Sequence, residues 1–206
     1  MSKKIYLNGG ADLMKNESLE IDRKFISETD NKRICVLDLT TNDDSKKVPW
    51  RDFLKQYFRQ LGSKETFFAS TSKDIKSQLN SSGIVYLPGG DPAILMENIK
   101  NNELEDSLKN FKGILVGNSA GAMVLSNEGV CMGYKGEEDR IKGLGLVNFA
   151  VDVHYDKTQD EQLKSLSLSK DLYAIPETSV IIVEDNKKSF IGNVYKFSKG
   201  NKIKIN

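Results

Sequence analysis

Residues 113–125 read GILVGNSAGAMVL, so that an apolar run passes directly into a helix-like run through a serine flanked by small residues. The run 113–116 is almost entirely apolar, as expected of a parallel strand buried on both faces. Glycines at 117 and 121 relieve the steric crowding of a sharp strand-to-helix turn. The G-x-S-x-G pattern in this context predicts a nucleophile elbow that presents the Ser119 hydroxyl.

The chain before this turn alternates between short β-rich runs and segments of helical periodicity. Strands are predicted at residues 5–7, 33–39, 65–69 and 83–87. Between the second and third strands, a helix is predicted to begin at Pro49 and to end at Gly62. This alternation favours an α/β fold with a mostly parallel sheet that is flanked by helices on both faces.

The chain after Leu125 is less regular. Its predicted elements are loops or a hairpin over 127–142, a strand over 149–154, a helix over 159–167, and closing β segments over 179–184, 190–193 and 202–205. Neither an internal repeat nor a Pro/Ser-rich linker divides the 206 residues. We therefore expect a single α/β domain over residues 1–206, with closing β segments at the C-terminus.

The composition argues against several classes of protein. Hydrophobic residues make up 38% and charged residues 29% of the chain, a balance typical of a globular protein. The formal net charge of +1 favours neither nucleic acid nor an anionic membrane as a partner. No apolar run approaches the roughly 20 residues of a membrane span, and the apolar run 5–7 is too short for a signal-peptide core. We expect a cytoplasmic protein that is a monomer or a homodimer.

The sequence shows no recognisable motif for a metal or a cofactor. Cys35 and Cys131 have no CxxC or Cys/His spacing, which argues against a structural zinc site. The glycines at 143 and 145 lack the third glycine of a dinucleotide fingerprint, and no P-loop motif occurs. We therefore expect chemistry that needs neither a metal nor a cofactor.

A serine hydroxyl is a weak nucleophile that needs a neighbouring base. His154, at the end of a predicted strand, is the only histidine and hence the only imidazole available to Ser119. A carboxylate should orient this imidazole, and the residues leave three candidates open, Glu177, Asp152 and Asp156.

Backbone N–H groups beside the elbow are candidates for an oxyanion hole. Ala120 follows the nucleophile at the start of a predicted helix, where the N–H groups favour negative charge. A second donor is expected from the turn Gly89-Gly90-Asp91 after the fourth strand, because glycine lets the backbone approach a substrate closely. Asp91 is the predicted N-cap of the following helix, with Pro92 at its first position.

Four motifs in this order resemble the peptidase E and cyanophycinase family of serine peptidases. They are LPGGDP at 87–92, GNSAGA at 117–122, DVHY at 152–155 and IPE at 175–177. The resemblance implies a fold like that of class I glutamine amidotransferases, with serine where those enzymes have cysteine. It also implies that Ser119 is the nucleophile, His154 the base and Glu177 the orienting carboxylate, with backbone oxyanion donors at Gly90 and Ala120.

The function expected from this resemblance is that of an intracellular serine exopeptidase. It would hydrolyse small peptides, as peptidase E does for dipeptides with N-terminal aspartate, through an acyl-enzyme on Ser119. Lys135 and Arg140 are weighed as partners for a substrate carboxylate. Two alternatives are a catalytically silent amidotransferase-like binding module and a thiol enzyme that uses Cys131.

Overall fold

A computed structural model describes residues 3–132 and 138–206 of the chain. The helices in these ranges are α1 Leu19–Ser27, α2 Asp44–Gln60, α3 Ile75–Ser81, α4 Pro92–Asn101, α5 Glu105–Asn110, α6 Ala120–Leu125 and α7 Asp160–Leu166. The strands are β1 Lys4–Asn8, β2 Arg33–Val36, β3 Glu65–Phe68, β4 Ile84–Leu87, β5 Ile114–Asn118, β6 Glu128–Met132, β7 Glu138–Lys142, β8 Ala150–Val153, β9 Leu172–Ile175, β10 Val180–Glu184, β11 Lys187–Ile191, β12 Tyr195–Ser198 and β13 Asn201–Lys204.

The first sheet carries the elbow and has the strand order β11-β10-β1-β5-β4-β2-β3. Strands β1, β5, β4, β2 and β3 are parallel to one another, whereas β10 and β11 add an antiparallel edge. Side chains alternate between its two faces, so that Tyr6 packs with α1 and α2 while Ile5 and Leu7 pack with α3 to α6. The predicted α/β fold with helices on both faces is therefore confirmed.

A second sheet has the order β13-β12-β9-β8-β6-β7 and packs against the helix that follows the elbow. Helix α6 lies between the two sheets, and all six of its residues are buried. The predicted hairpin at 127–142 exists as the antiparallel pair β6 and β7. Sequence analysis did not anticipate a separate sheet, because the parallel pairs β6–β8 and β8–β9 join segments distant in sequence.

Helix α2 begins earlier than the sequence analysis predicted. Asp43 caps it by accepting a hydrogen bond from the Ser45 N–H at 3.0 Å, so the helix starts at Asp44 and Pro49 lies inside it. The prediction of a start at Pro49 was wrong because it took proline as the first helical residue, whereas the Asp43 cap starts the helix five residues earlier and Pro49 lies in the second turn. Gly62, with a φ of 98°, follows the C-cap as predicted.

Helices α1 and α5 were not predicted from the sequence. Within residues 3–132 and 138–206, no helix combines the length and the apolar character needed to cross a membrane.

Candidate active site

The elbow stands between the C-terminus of β5 and the N-terminus of α6. Ser119 has φ 50° and ψ −109°, a strained conformation for a residue other than glycine. A Cβ on Gly121 would lie 2.1 Å from the Leu87 carbonyl oxygen, and one on Gly117 would lie 2.5 Å from the Ala122 nitrogen. The structure thus shows the tight turn that the sequence predicts, with glycines where helix and strand touch.

The three side chains that the resemblance selects meet in a continuous chain. Ser119 Oγ lies 2.7 Å from His154 Nε2, and His154 Nδ1 lies 3.0 Å from Glu177 Oε1. With Nδ1 protonated, the imidazole donates to the carboxylate and accepts a hydrogen bond from the serine hydroxyl. Both distances lie within the hydrogen-bond reach expected of a nucleophile, its base and an orienting group.

The other two candidate carboxylates form hydrogen bonds elsewhere. Asp152 is buried in the second sheet, where its Oδ1 accepts a hydrogen bond from the Met132 N–H at 3.3 Å. Burial raises the pKa of Asp152 well above its ordinary value. Asp156 caps a short 3₁₀ turn through the Thr158 N–H at 2.9 Å. Glu177 is therefore the carboxylate of the three that hydrogen-bonds to the imidazole.

The loop after β1 holds the imidazole in place, a role that the sequence analysis missed. The Gly9 carbonyl accepts a hydrogen bond from the backbone N–H of His154 at 2.8 Å, and the Gly10 carbonyl accepts one from the backbone N–H of Thr178 at 2.8 Å. Gly10 has a φ of 130°, and a Cβ there would lie 2.3 Å from His154 Cε1. The signal was a glycine pair directly after the first strand, at the sheet edge where the other strands place their loops.

The predicted oxyanion donors lie beside the elbow. Ala120 is the first residue of α6, so its N–H has no acceptor within the helix. A Cβ on Gly89 would lie 3.6 Å from Ser119 Cβ, which places the Gly89-Gly90 turn next to the nucleophile. Gly90 has a φ of 132°, a conformation that favours glycine. That the Gly90 and Ala120 N–H groups bind an oxyanion stays a prediction.

A cavity of about 730 Å³ opens in front of Ser119 at the carboxyl ends of the parallel strands. Its apolar wall is formed by Leu13, Leu54, Phe68 and Tyr86. Its charged lining residues are Lys46, Lys47, Arg51 and Asp38. Each of the three cations has a carboxylate partner: Arg51 Nε lies 2.7 Å from Asp38 Oδ2, Lys46 Nζ lies 3.7 Å from Asp43 Oδ2, and Lys47 Nζ lies 3.0 Å from Asp44 Oδ1.

The remaining candidates from the sequence lie outside this arrangement. Lys135 is not among the described residues. Arg140 lies on β7, 4.0 Å from the Glu128 carboxylate, and does not appear among the described residues that line the cavity. Cys131 is half-buried and lines the cavity, but the elbow position belongs to Ser119. In the described parts of the chain, no group of three or more His, Cys, Asp or Glu side chains could hold a metal ion.

Comparisons with known proteins agree with this architecture. The chain is 26% identical over 167 residues to the uncharacterized peptidase YgaJ of Bacillus subtilis. The aligned region covers 79% of this chain and 72% of that protein. Its fold is similar to the crystal structure of a peptidase from an acI-B1 Actinobacterium, with a TM-score of 0.68, 19% identity and coverage of 100% of this chain and 98% of that one. It is also similar to a putative peptidase E from Listeria monocytogenes, with a TM-score of 0.67, 17% identity and coverage of 93% and 98%.

The family comparison decides the class of protein. The model of peptidase family S51 matches residues 7–191, a span that includes the elbow, the imidazole and Glu177. The resemblance to the peptidase E family is thereby confirmed, and so is the prediction of a peptidase. This chain belongs to peptidase family S51.

Proposed function

We propose that this peptidase is a serine exopeptidase that hydrolyses short peptides through an acyl-enzyme on Ser119. The observation that carries the proposal is the unbroken chain of contacts from Ser119 Oγ through His154 to Glu177, at 2.7 and 3.0 Å. A hydroxyl on a strained elbow, a base within hydrogen-bond reach and an orienting carboxylate are the parts that nucleophilic acyl transfer requires.

The first half of the proposed reaction forms the acyl-enzyme. His154 Nε2 accepts the hydroxyl proton of Ser119 while Oγ attacks the scissile carbonyl carbon, and Glu177 stabilises the resulting imidazolium. The oxygen of the tetrahedral intermediate lies against the N–H groups of Ala120 and Gly90. His154 then returns the proton to the leaving amine, so that the C–N bond breaks and the first product departs.

The second half releases the acyl group. A water molecule takes the place of the leaving amine, and His154 accepts its proton as the water oxygen attacks the ester carbonyl. Collapse of the second tetrahedral intermediate breaks the bond to Ser119 Oγ, and the imidazole returns the proton to the serine. The protein thus regains its starting state without a metal or a redox partner.

The cavity supports a short peptide as the substrate. Its volume of about 730 Å³ lies within the usual range of small-molecule pockets, about 300 to 1,000 Å³. An N-terminal aspartate is the first residue to test, because peptidase E, which this chain resembles, cleaves dipeptides of that kind and because Lys46 and Lys47 line the cavity.

The test is a screen of dipeptides and tripeptides with varied N-terminal residues, with the Ser119→Ala protein as control. We expect release of an amino acid by the parent protein and a loss of kcat/KM of at least about 1,000-fold in the variant, because the nucleophile is removed. Thermal melting of both proteins checks that the variant is folded. Equal turnover by a folded Ser119→Ala protein would contradict the proposal. Failure of the parent to cleave any peptide would favour a catalytically silent binding module.

A further inference from the structure

Asn118, the residue before the elbow serine, has a side chain with unused hydrogen-bonding capacity. Only 8% of the residue is exposed, and it lines the cavity in front of Ser119. Its Oδ1 is buried and has no hydrogen-bond partner among the described residues. Its Nδ2 lies 3.7 Å from the point that a Cβ on Gly89 would occupy, so the amide sits between the elbow and the glycine turn.

An unpartnered buried carbonyl oxygen destabilises a protein, because it has lost its hydrogen bonds to water without gaining a partner. Buried polar side chains without partners are rare, and each needs a physical reason. Since Asn118 lies at the wall of the cavity, a ligand bound there is a natural partner. The terminal torsion of asparagine is broad and roughly two-fold, so rotation about it can exchange the positions of Oδ1 and Nδ2 and present the oxygen to a donor in the cavity.

The groups around a scissile carbonyl leave one role for this acceptor. In the proposed reaction, the carbonyl oxygen lies against the N–H groups of Ala120 and Gly90, and the leaving nitrogen lies against His154. The third substituent of the carbonyl carbon is the α-carbon of the acyl residue, which bears the α-nitrogen. That nitrogen carries hydrogen-bond donors, whether it is a free ammonium or a peptide N–H.

We propose that Asn118 Oδ1 accepts a hydrogen bond from the α-nitrogen of the substrate's acyl residue and thereby selects substrates that carry an N–H at this position. The inference rests on the proposed function for the placement of the substrate carbonyl. It makes Asn118 a specificity-determining residue beside the nucleophile. The preference should depend on the acceptor oxygen at position 118 and on the donor of the ligand together.

The test measures binding rather than turnover, in the Ser119→Ala background. Trp50 is the only tryptophan of the chain and lines the cavity, so its fluorescence reports occupancy. The probes are Asp-Leu, succinyl-leucine, which lacks only the α-amino group, and N-acetyl-Asp-Leu, which replaces the ammonium by a peptide N–H. We expect Asp-Leu, N-acetyl-Asp-Leu or both to bind at least about ten-fold more tightly than succinyl-leucine.

The preference is expressed as the dissociation constant of succinyl-leucine divided by that of the tighter-binding N–H probe. Adding Asn118→Leu should reduce this ratio to about one, because the side chain keeps a similar shape but loses the acceptor. Asn118→Ala serves as a second variant in case leucine does not fit, and Asn118→Asp, which keeps an acceptor oxygen, should restore the preference. The leucine variant should melt at or above the temperature of its parent, since an unpartnered buried polar group has been removed. A purely structural amide would instead lower the melting temperature and leave the ratio unchanged.

Three outcomes would overturn the inference: equal binding of all three probes, no binding of any of them, or an unchanged ratio in a folded Asn118→Leu protein. Failure of the proposed function is recognised separately, because it is measured as the absence of peptide cleavage by the protein with Ser119 intact. If the protein with Ser119 intact cleaves peptides while the binding ratio is unchanged in the Asn118→Leu variant, the role of Asn118 is refuted and the proposed function stands.

Discussion

The two ends of the candidate active site are built in different ways. The nucleophile end is local: Ser119 and the glycines that permit its turn lie within five consecutive residues, which span the end of one strand and the start of one helix. The imidazole end is assembled over long distances, since His154 directly follows β8 of the second sheet and Glu177 lies in the loop after β9. The end of β1 joins the two ends: the Asn8 carbonyl accepts a hydrogen bond from the backbone N–H of Ser119 at 3.0 Å, and the Gly9 carbonyl in the following loop accepts one from the backbone N–H of His154 at 2.8 Å.

This difference shows that glycine serves two separate purposes in one site. At 117 and 121 it lets a helix lie against a strand, so the crowding involves backbone atoms of the elbow and the neighbouring strand. At Gly10 it leaves space for the imidazole, so the crowding would involve the His154 ring itself. A side chain at Gly10 should therefore separate base from nucleophile while the elbow is preserved.

The largest effect in this comparison is expected from Gly10→Ala. The new Cβ would lie 2.3 Å from His154 Cε1, so the ring must move away from its present position. We expect kcat/KM for the best peptide to fall at least about 100-fold, because a misplacement of about 1 Å in a catalytic group costs about that factor. Steady-state kinetics on the purified variant measures this loss.

Gly62→Ala is the matched control for backbone strain. Gly62 also has a positive φ, 98°, but a Cβ there would meet nothing within 4 Å. Both substitutions strain the backbone, and we expect both to lower the melting temperature. Only Gly10→Ala should lower activity. Similar kinetic losses in the two variants would show that the space at Gly10 has no particular role in placing the imidazole.

A smaller effect is expected from Glu177→Gln. The substitution keeps the size of the side chain but removes the charge that stabilises the imidazolium, so kcat should fall with little change in KM. The Glu177 side chain is 61% exposed, so water replaces part of its effect. We expect a loss of about 10- to 100-fold, well below the roughly 10,000-fold loss that is typical of a buried triad acid. Steady-state kinetics over a range of pH gives this measurement.

Asp152→Asn is the control for this experiment, because it changes a carboxylate near His154 in sequence without touching the Ser–His–Glu chain. We expect kcat/KM within about two-fold of the parent, since the Asp152 carboxylate hydrogen-bonds to the Met132 N–H in the second sheet and takes no part in the proposed reaction.

Asp152 has a raised pKa in the folded state, so the unfolded chain releases the Asp152 proton at lower pH than the folded protein does. The parent therefore loses stability as the pH rises above about 4, and the variant should gain melting temperature over the parent at pH 7 but not near pH 4. A large kinetic loss in Asp152→Asn would contradict the assignment of Glu177.

Local sequence was sufficient to predict the elbow. The sequence runs without interruption from a buried strand through a glycine-flanked serine into a helix. The sharp turn between strand and helix allows the serine few backbone conformations. The Asp91 cap of α4 was likewise predictable, and its carboxylate accepts hydrogen bonds from the Ala93 and Ile94 N–H groups at 2.8 and 2.9 Å. In both cases the determining residues lie within a few positions of one another.

The imidazole end could be predicted only in part. The single histidine made His154 the sole candidate base, but the choice of Glu177 among three carboxylates came from the resemblance. Its proximity to His154 depends on the parallel pairing of β8 with β9, which no local pattern specifies. Gly10 was missed for the same reason, because its neighbour across the site is 144 positions away in the sequence.

The most direct test of the central claim is the reaction of the protein with a fluorophosphonate, followed by intact-mass and peptide mass spectrometry. The account predicts a single covalent adduct on Ser119, no adduct in the Ser119→Ala protein, and labelling at least about 100-fold slower when His154 is replaced by alanine. An adduct on another residue, or labelling of Ser119 at an unchanged rate without the imidazole, would contradict it.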